Sequence, residues 1–420
     1  MEASMDDGAV IPDSPTEHHW PPGISRVPFW LYQNPGILRA EQRKIFEGPV
    51  WHFLCLEVDI ENRGDYRTTS VGEMPVVVVR GEQSAIHAFE NRCAHRGALI
   101  AFEDSGNVKD FTCAYHAWRY DLAGNLCSIA FQRGVGGKGG MPPEFRMQDY
   151  GPRKLKVAAI GGLVFGTVDP SAPPLEEYLG PEIAAKIRRV FNRKLEVIGR
   201  FTQFLPNNWK MYAENIRDTY HASLLHLFFT TFKITRFDQA GGVTISADGA
   251  HHASATIGKG IETQSIYKDQ GLRSDSEDFR LHDDSFLASQ PEFGDDIQLQ
   301  NVALFPATML QQLYNSIAVR QTVPRGVEGM DLNWIFLGFT DDTPAMRKMR
   351  LKQANLAGPA GYVSMEDGMI GNLVQRGIRA APDEIAVVEM GGYEARSQNT
   401  RATEASVRGF WKNYRRLMDI

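Results

Sequence analysis

Only four cysteines occur in the 420 residues of this chain, too few for a disulfide-built scaffold and in keeping with a reducing compartment. No run of lysine and arginine is present, and a net charge of −6 with a pI near 6 leaves no basic face for nucleic acid. Long apolar stretches are missing too: the best candidate, Val157–Val168, is interrupted by Gly161 and Gly162, so no membrane span is expected. The glycines of 134–140 have no strand-then-helix context and read as a loop. Neither a dinucleotide fingerprint nor a flavin site is found elsewhere. There is no internal repeat. The first residues, Met1–Ser14, are acidic and polar, unlike a secretory signal or transit peptide, which makes a cytoplasmic location the default expectation.

What remains is an ordinary globular composition, 43% hydrophobic and 23% charged, with room for two domains or for a small domain set into a larger one. Against that background two cysteines stand out. Cys93-Ala-His95 is followed, seventeen residues later, by Cys113-Ala-Tyr-His116. Each loop offers one thiolate and one imidazole, so each iron of a Rieske [2Fe–2S] centre can take like ligands drawn from both loops. A structural zinc uses the same ligand set but groups its cysteines in one knuckle and its histidines in the other. Neutral imidazoles remove negative charge from the cluster and raise its potential, so the chain handles electrons and needs somewhere to send them. Cys55, in the apolar run Trp51–Leu56, and Cys127, just past Gly124-Asn125, read as buried thiols outside the cluster.

Short strands are expected through residues 51–167, among them the β-branched run Pro75–Arg80, Ile86–Glu90, a hairpin around Gly124-Asn125, and one or two strands in 157–168. The ligand loops fall between them, as hairpin tips. Asp169-Pro-Ser-Ala-Pro-Pro174 is a break that neither a central strand nor a helix can cross. The fold class expected is therefore α+β: a small all-β domain over 45–168, inserted into a larger α+β domain made of 1–44 and 169–420. The larger part mixes a charged amphipathic helix over 175–192, long strands over 242–257, 303–323 and 332–339, and a closing helix whose apolar stripe is Val407, Phe410, Trp411, Tyr414, Leu417 and Met418.

A second constellation lies in Glu214-Asn215-Ile-Arg-Asp218-Thr-Tyr-His221-Ala-Ser-Leu-Leu-His226. Asp218 and His221 are three apart, close enough on a helix for the carboxylate to orient the imidazole. His221 and His226 are five apart, roughly 140° around a straight helix, so both can reach one ion only if the helix ends or kinks between them. The best third ligand is Asp367, in Ser364-Met-Glu-Asp367-Gly, near the start of a helix predicted after Gly358-Pro359 and Gly361. Two histidines and one carboxylate make the facial triad of non-haem Fe(II) oxygenases. The alternative is plain: Ser364-x-x-Asp367 is also a capping arrangement, and paired histidines beside aromatics are often core residues.

With both motifs in place, nearly the full chain resembles the large (α) subunits of Rieske-type aromatic-ring-hydroxylating oxygenases. The resemblance implies a helix-grip-like antiparallel sheet in the larger domain. It implies that Cys93 and Cys113 bind one cluster iron, that His95 and His116 bind the other, and that His221, His226 and Asp367 hold a mononuclear Fe(II). It also implies that Asp218 links His221 to His116 of a neighbouring subunit, in a ring of three α subunits joined by small β subunits (α3β3). Electrons then come from NADH through a separate reductase, and O2 is the co-substrate. Ser25-Arg-Val-Pro-Phe, Leu205-Pro-Asn-Asn-Trp-Lys and Gly358-Pro-Ala-Gly look like segments of the branch acting on benzoate-type acids, salicylate and terephthalate hydroxylating enzymes among them. For that branch Arg320 and Arg401 are the expected carboxylate-binding residues, since a guanidinium grips a carboxylate with two parallel hydrogen bonds, and terephthalate is the expected substrate. Asn215 is a further candidate substrate contact. Ring hydroxylation of salicylate, anthranilate or 2-halobenzoate is the rival within the class, and an electron carrier with no oxygenation site is the rival outside it.

Overall fold

The computed structural model describes residues 20–258, 267, 270–272, 279–359 and 361–420. The polar start Met1–Ser14 lies outside them. The valine run forms the strand Met74–Arg80, in which Val76, Val77, Val78 and Val79 are completely buried, each contributing about 1.5–3 kcal/mol of hydrophobic stabilisation. It is the third strand from one edge of a seven-stranded sheet whose order is His52–Leu56, Leu163–Thr167, Lys154–Ile160, Ile86–Glu90, Met74–Arg80, Asp65–Val71, Ser105–Asn107, with every pair antiparallel. A three-stranded sheet, Phe111–Thr112, Arg119–Tyr120 and Leu126–Ser128, completes this part. The candidate 157–168 is two strands, turned at Gly161 and Gly162, both at positive φ, where glycine carries no Cβ penalty.

The second seven-stranded sheet is also antiparallel, ordered Leu195–Leu205, Met330–Phe339, Ser316–Pro324, Thr308–Leu313, Ile297–Leu304, His252–Ile257, Gly241–Ile245. Its alternating residues serve two cores, as the two-residue period of a strand requires. Val302, Leu310, Ile317, Val319, Ile335 and Leu337 pack with Ile183 and Ile187 of the Pro181–Val190 helix. On the other face Met309, Ala318, Trp334 and Phe336 share a core with Trp209, Tyr212 and the closing helix Ala405–Met418, through Val407, Phe410, Trp411 and Tyr414. The architecture is α+β. An N-terminal strand, Arg26–Pro28, pairs with Ile385–Val387, so chain from before the first sheet rests on chain from beyond the second.

Several expected elements are divided differently. The helix over 175–192 is two, Leu175–Leu179 and Pro181–Val190, because Gly180 between them stands at φ +75. The span 242–257 is a hairpin of two strands, and 303–323 covers parts of three. The first ligand loop is not a hairpin tip: it leaves Ile86–Glu90 and leads to Ser105–Asn107, strands that pair with different partners. Cys127 is exposed, not buried, because its short strand lies on the small outer sheet. Arg401 precedes the closing helix by four residues and lies in the loop before it. Among the described residues, no helix is long and apolar enough to cross a membrane.

Candidate metal centres

The two Cys/His loops are built alike. Cys93 N–H donates to Ala98 O and Gly97 N–H to Cys93 O, at 2.8 and 2.9 Å; Cys113 N–H donates to Trp118 O and Ala117 N–H to Cys113 O, at 2.9 and 3.0 Å. Gly97 and Ala117 occupy equivalent left-handed positions, φ +78 and +52. These matched turns put the thiols inside and the imidazoles outside. Cys93 and Cys113 are buried in a core with Phe89, Phe111, Trp118 and Tyr120. His95 is exposed and His116 half-exposed, with their rings 4.4 Å apart, centroid to centroid. Trp118 stacks on His95 at 4.8 Å, which fixes that ring. The Tyr120 hydroxyl donates to Cys93 Sγ at 3.2 Å and accepts from Ala94 N–H. Burial pushes the Cys93 thiol above its ordinary pKa, so as a thiolate it needs a nearby cationic metal. Two inward sulfurs and two outward nitrogens suit a cluster with one buried and one solvent-facing iron.

The second site turns on a helix break. The helix Thr219–Leu225 stops at Leu225, His226 sits between helices at φ −85 and ψ +77, and a new helix runs Leu227–Thr231. The break brings His226 beside His221, and the atoms that His221, His226 and Asp367 offer to a metal all lie within 4.8 Å of one another. Asp367 Oδ1 is 3.5 Å from His221 Nε2 and 3.4 Å from His226 Nε2. Asp367 is the sixth residue of the Tyr362–Ile378 helix, whose N-cap is Gly361, and Ser364 Oγ donates to Gln203 Oε1. The Ser364/Asp367 capping arrangement is therefore absent. Burial tends to lower the His221 pKa, but the Asp218 and Asp367 carboxylates outweigh it and raise the group to about 10. Burial works against the charge on Asp367, yet the two imidazoles and Asn215 hold its carboxyl below the usual range. This is a polarised, largely buried, three-donor cage suited to a divalent cation.

The outer partners differ. Asp218 caps the Thr219–Leu225 helix, its Oδ1 accepting from Tyr220 N–H at 2.8 Å, while Oδ2 lies 3.2 Å from His221 Nδ1 without hydrogen-bond alignment. Asn215 lines the cavity, but its amide is engaged with the cage, donating to Asp367 Oδ1 at 3.0 Å. Two cavities meet here. One is lined by the triad together with Ser254, Asn301, Met309, Gln311, Arg320 and Arg401. The other, about 550 Å³ and mostly apolar, is lined by Asp218, His221 and Asp367 as well, together with Phe29, Leu224 and Val374.

Both expected arginines therefore share a cavity with the triad. Arg320 stacks 3.9 Å over the Trp334 ring, donates to Tyr212 Oη at 3.1 Å and to Gln311, and its Nε finds no acceptor among the described residues. Arg401 donates to Thr235 and Thr256 hydroxyls and to the carbonyls of Arg236 and Gln239. Burial lowers the Arg401 pKa to about 10. Tyr212, Gln311 and Trp334 had no signal in the sequence, because their approach to Arg320 depends on cross-strand register and long-range packing.

Residues 50–136 match the Rieske [2Fe-2S] domain family, and residues 191–420 match the family described as ring hydroxylating alpha subunit, catalytic domain. The chain belongs to the ring-hydroxylating α subunits. Membership implies both a Rieske cluster and a mononuclear non-haem iron, and the donor sets above fit both. A terephthalate 1,2-dioxygenase terminal oxygenase α subunit from Comamonas sp is 54% identical, over 94% of this chain and 95% of that one. The large subunit of an anthranilate 1,2-dioxygenase from Burkholderia cepacia is 42% identical, covering 97% and 96%. A naphthalene 1,2-dioxygenase structure from Rhodococcus sp. shares the fold, with a TM-score of 0.76 at 22% identity over 94% of each chain. The protein is a terminal oxygenase α subunit of the Rieske dioxygenase class.

One acid of this α subunit lies apart from the ligands. Glu214 is partly buried in the wall of the apolar cavity, accepting from Tyr32 Oη at 2.6 Å and Trp411 Nε1 at 2.5 Å; desolvation, with Asp218 and Glu404 adding, raises its pKa from 4.5 to about 7. A group whose pKa rises on folding stabilises the fold fully below its unfolded value, and that contribution fades as pH climbs through the folded value. Between pH ~5 and ~8 the fold therefore loses roughly 3 kcal/mol at this position. Glu214→Gln, which keeps an acceptor for both donors, should gain on wild type by that order at pH 8 and not at pH 5 in urea unfolding. An equal difference at both pH values would contradict the raised pKa.

Proposed function

We propose that this α subunit cis-dihydroxylates terephthalate at its 1,2 positions, using O2 and two electrons delivered from NADH. Two buried guanidinium groups in the triad's own cavity carry the reading. Among the described residues neither Arg320 nor Arg401 has a carboxylate ion-pair partner, and a buried charge without a counter-charge is costly unless a ligand supplies one. An aromatic dicarboxylate supplies one at each end and leaves its ring between them, beside the triad. The similarity to a terephthalate dioxygenase subunit points the same way.

In this reading His221, His226 and Asp367 hold the mononuclear iron, Cys93 and Cys113 bind one cluster iron, and His95 and His116 bind the other. Together these centres supply electron storage at the cluster and O2 activation beside the substrate. Arg320 and Arg401 bind the carboxylates, with Trp334, Tyr212 and Gln311 fixing the Arg320 plane. The apolar walls Ile216, Leu299, Met309 and Val363 exclude water from the ring. Asp218 connects His221 to His116 of an adjacent α subunit, which makes the assembly a ring of three α subunits, completed by small β subunits and served by an NADH-dependent reductase. The exposed His95 and half-exposed His116 of the first site, and the place of Asp218 in the lining of the apolar cavity, both suit such an electron route.

Product analysis with ¹⁸O2 over terephthalate, benzoate, anthranilate and salicylate tests the substrate. A labelled dihydrodiol dicarboxylate from terephthalate is expected. Arg320→Leu should raise the terephthalate KM by at least about tenfold, the cost of losing a charge-assisted hydrogen bond of 1.5–3 kcal/mol, with both metal centres retained. Turnover of ortho-substituted benzoates but not terephthalate would overturn the two-arginine grip.

A further inference from the structure

His226 is held more firmly than its partner, and by a residue beside the carboxylate ligand. His226 Nδ1 and Glu366 Oε2 are 2.7 Å apart with hydrogen-bond geometry, and the two side chains are 5% and 28% exposed. On the other side of the same ring, Nε2 faces Asp367 Oδ1 at 3.4 Å. A single turn of the Tyr362–Ile378 helix thus brackets the imidazole on both nitrogens. His221 has no equivalent, because Asp218 sits at 3.2 Å from its Nδ1 without hydrogen-bond alignment and spends its other oxygen on capping the helix.

We propose that Glu366 is a positioning residue of the mononuclear site, keeping the proton of His226 on Nδ1 so that Nε2 presents its lone pair to the metal. This rests on the assignment of the triad above. Three features make the hydrogen bond matter. His226 lies between two helices, in a backbone conformation belonging to neither, so its own segment does little to fix the ring. A carboxylate on Nδ1–H makes the opposite nitrogen a stronger donor to a metal. Because Glu366 and Asp367 are consecutive, movement of one helix shifts the direct ligand and the orienting group together. Glu366 does not touch the metal; it acts through His226.

The test uses full-length protein with its Rieske cluster intact and its mononuclear iron removed by chelation. Fe(II) is titrated back, and Co(II) is added separately for its visible ligand-field absorption. Glu366→Ala is expected to weaken Fe(II) binding by about 10–100-fold, the usual effect of losing an outer partner, and to alter the Co(II) spectrum. Glu366→Gln can still accept from Nδ1–H, so it should restore the Co(II) spectrum and bind Fe(II) with an affinity between the other two. A purely structural role would instead lower the unfolding midpoint while leaving the affinity of the folded fraction unchanged, and that result overturns the proposal. If Glu366→Ala fails to fold, Glu366→Gln decides: affinity equal to wild type overturns the proposal, and weaker affinity with an unchanged Rieske spectrum supports it. Wild-type protein that takes up no Fe(II) beyond its cluster would overturn the triad assignment itself, which is a separate result.

Discussion

Asp367→Ala is expected to abolish product formation while leaving the Rieske spectrum untouched, with iron per subunit falling to that of the cluster alone. Asp367 is the only carboxylate within the three-donor cage, and its Oδ1 stands between both Nε2 atoms. Removing it leaves two neutral donors and takes away the negative charge that best offsets a divalent cation in a buried site. It also strips Asn215 Nδ2 of its nearer acceptor, leaving only the 3.5 Å contact with His221 Nε2, so the cage loosens on a second side. The loss should exceed the roughly 10–100-fold typical of an outer partner, because a bond to the metal itself disappears. The cluster loops belong to a different core, packed around Phe89, Phe111 and Tyr120, and give an internal control for folding. Metal analysis and the visible spectrum on one sample suffice. Retention of the mononuclear iron with substrate-dependent O2 uptake would remove Asp367 from the site and mean that another group completes the ligand set.

Features encoded by short spacings were legible in the sequence. The Cys93/His95 and Cys113/His116 loops are closed by their own backbone hydrogen bonds, so their chemistry needs no distant partner to be recognised. The five-residue spacing of His221 and His226 demanded a helix end between them, and the chain provides one at Leu225. Features set by long-range register were not legible. Arg320 lies opposite Met309 on one strand and Trp334 on another, and Tyr212 reaches it from a helix more than a hundred residues away in sequence. Glu366 was invisible for a related reason: an acid next to an acid reads as a solvated helix face until the His226 ring is placed against it. The long strand over 303–323 was misjudged because one of its reversals puts Tyr314 at φ +49, a conformation normally signalled by glycine, asparagine or aspartate. Asn315-Ser316, directly after Tyr314, was the turn signal the sequence did carry.

Asp218→Asn separates metal binding from electron delivery. Asparagine is about as good an N-cap as aspartate, so the bonds from Tyr220 and His221 N–H to the side-chain oxygen survive and the helix keeps its start. What changes is the charge 3.2 Å from His221 Nδ1, in the lining of the apolar cavity. If Asp218 is the link between His221 and the partner's imidazole, the neutral variant should contain both metal centres in full and bind substrate with unchanged affinity. The reduced cluster should nonetheless be reoxidised by O2 and substrate about 10–100-fold more slowly than in wild type. Stopped-flow absorbance of the Rieske centre reads that rate directly, without the reductase. Asp367→Ala fails because the site is empty, whereas Asp218→Asn fails with the site filled, so the pair divides the two halves of the reaction. Cluster reoxidation at the wild-type rate in Asp218→Asn would mean that electrons reach the triad by another route, and the wall of the apolar cavity, from Tyr32 and Glu214 to Val407, would be the next place to look.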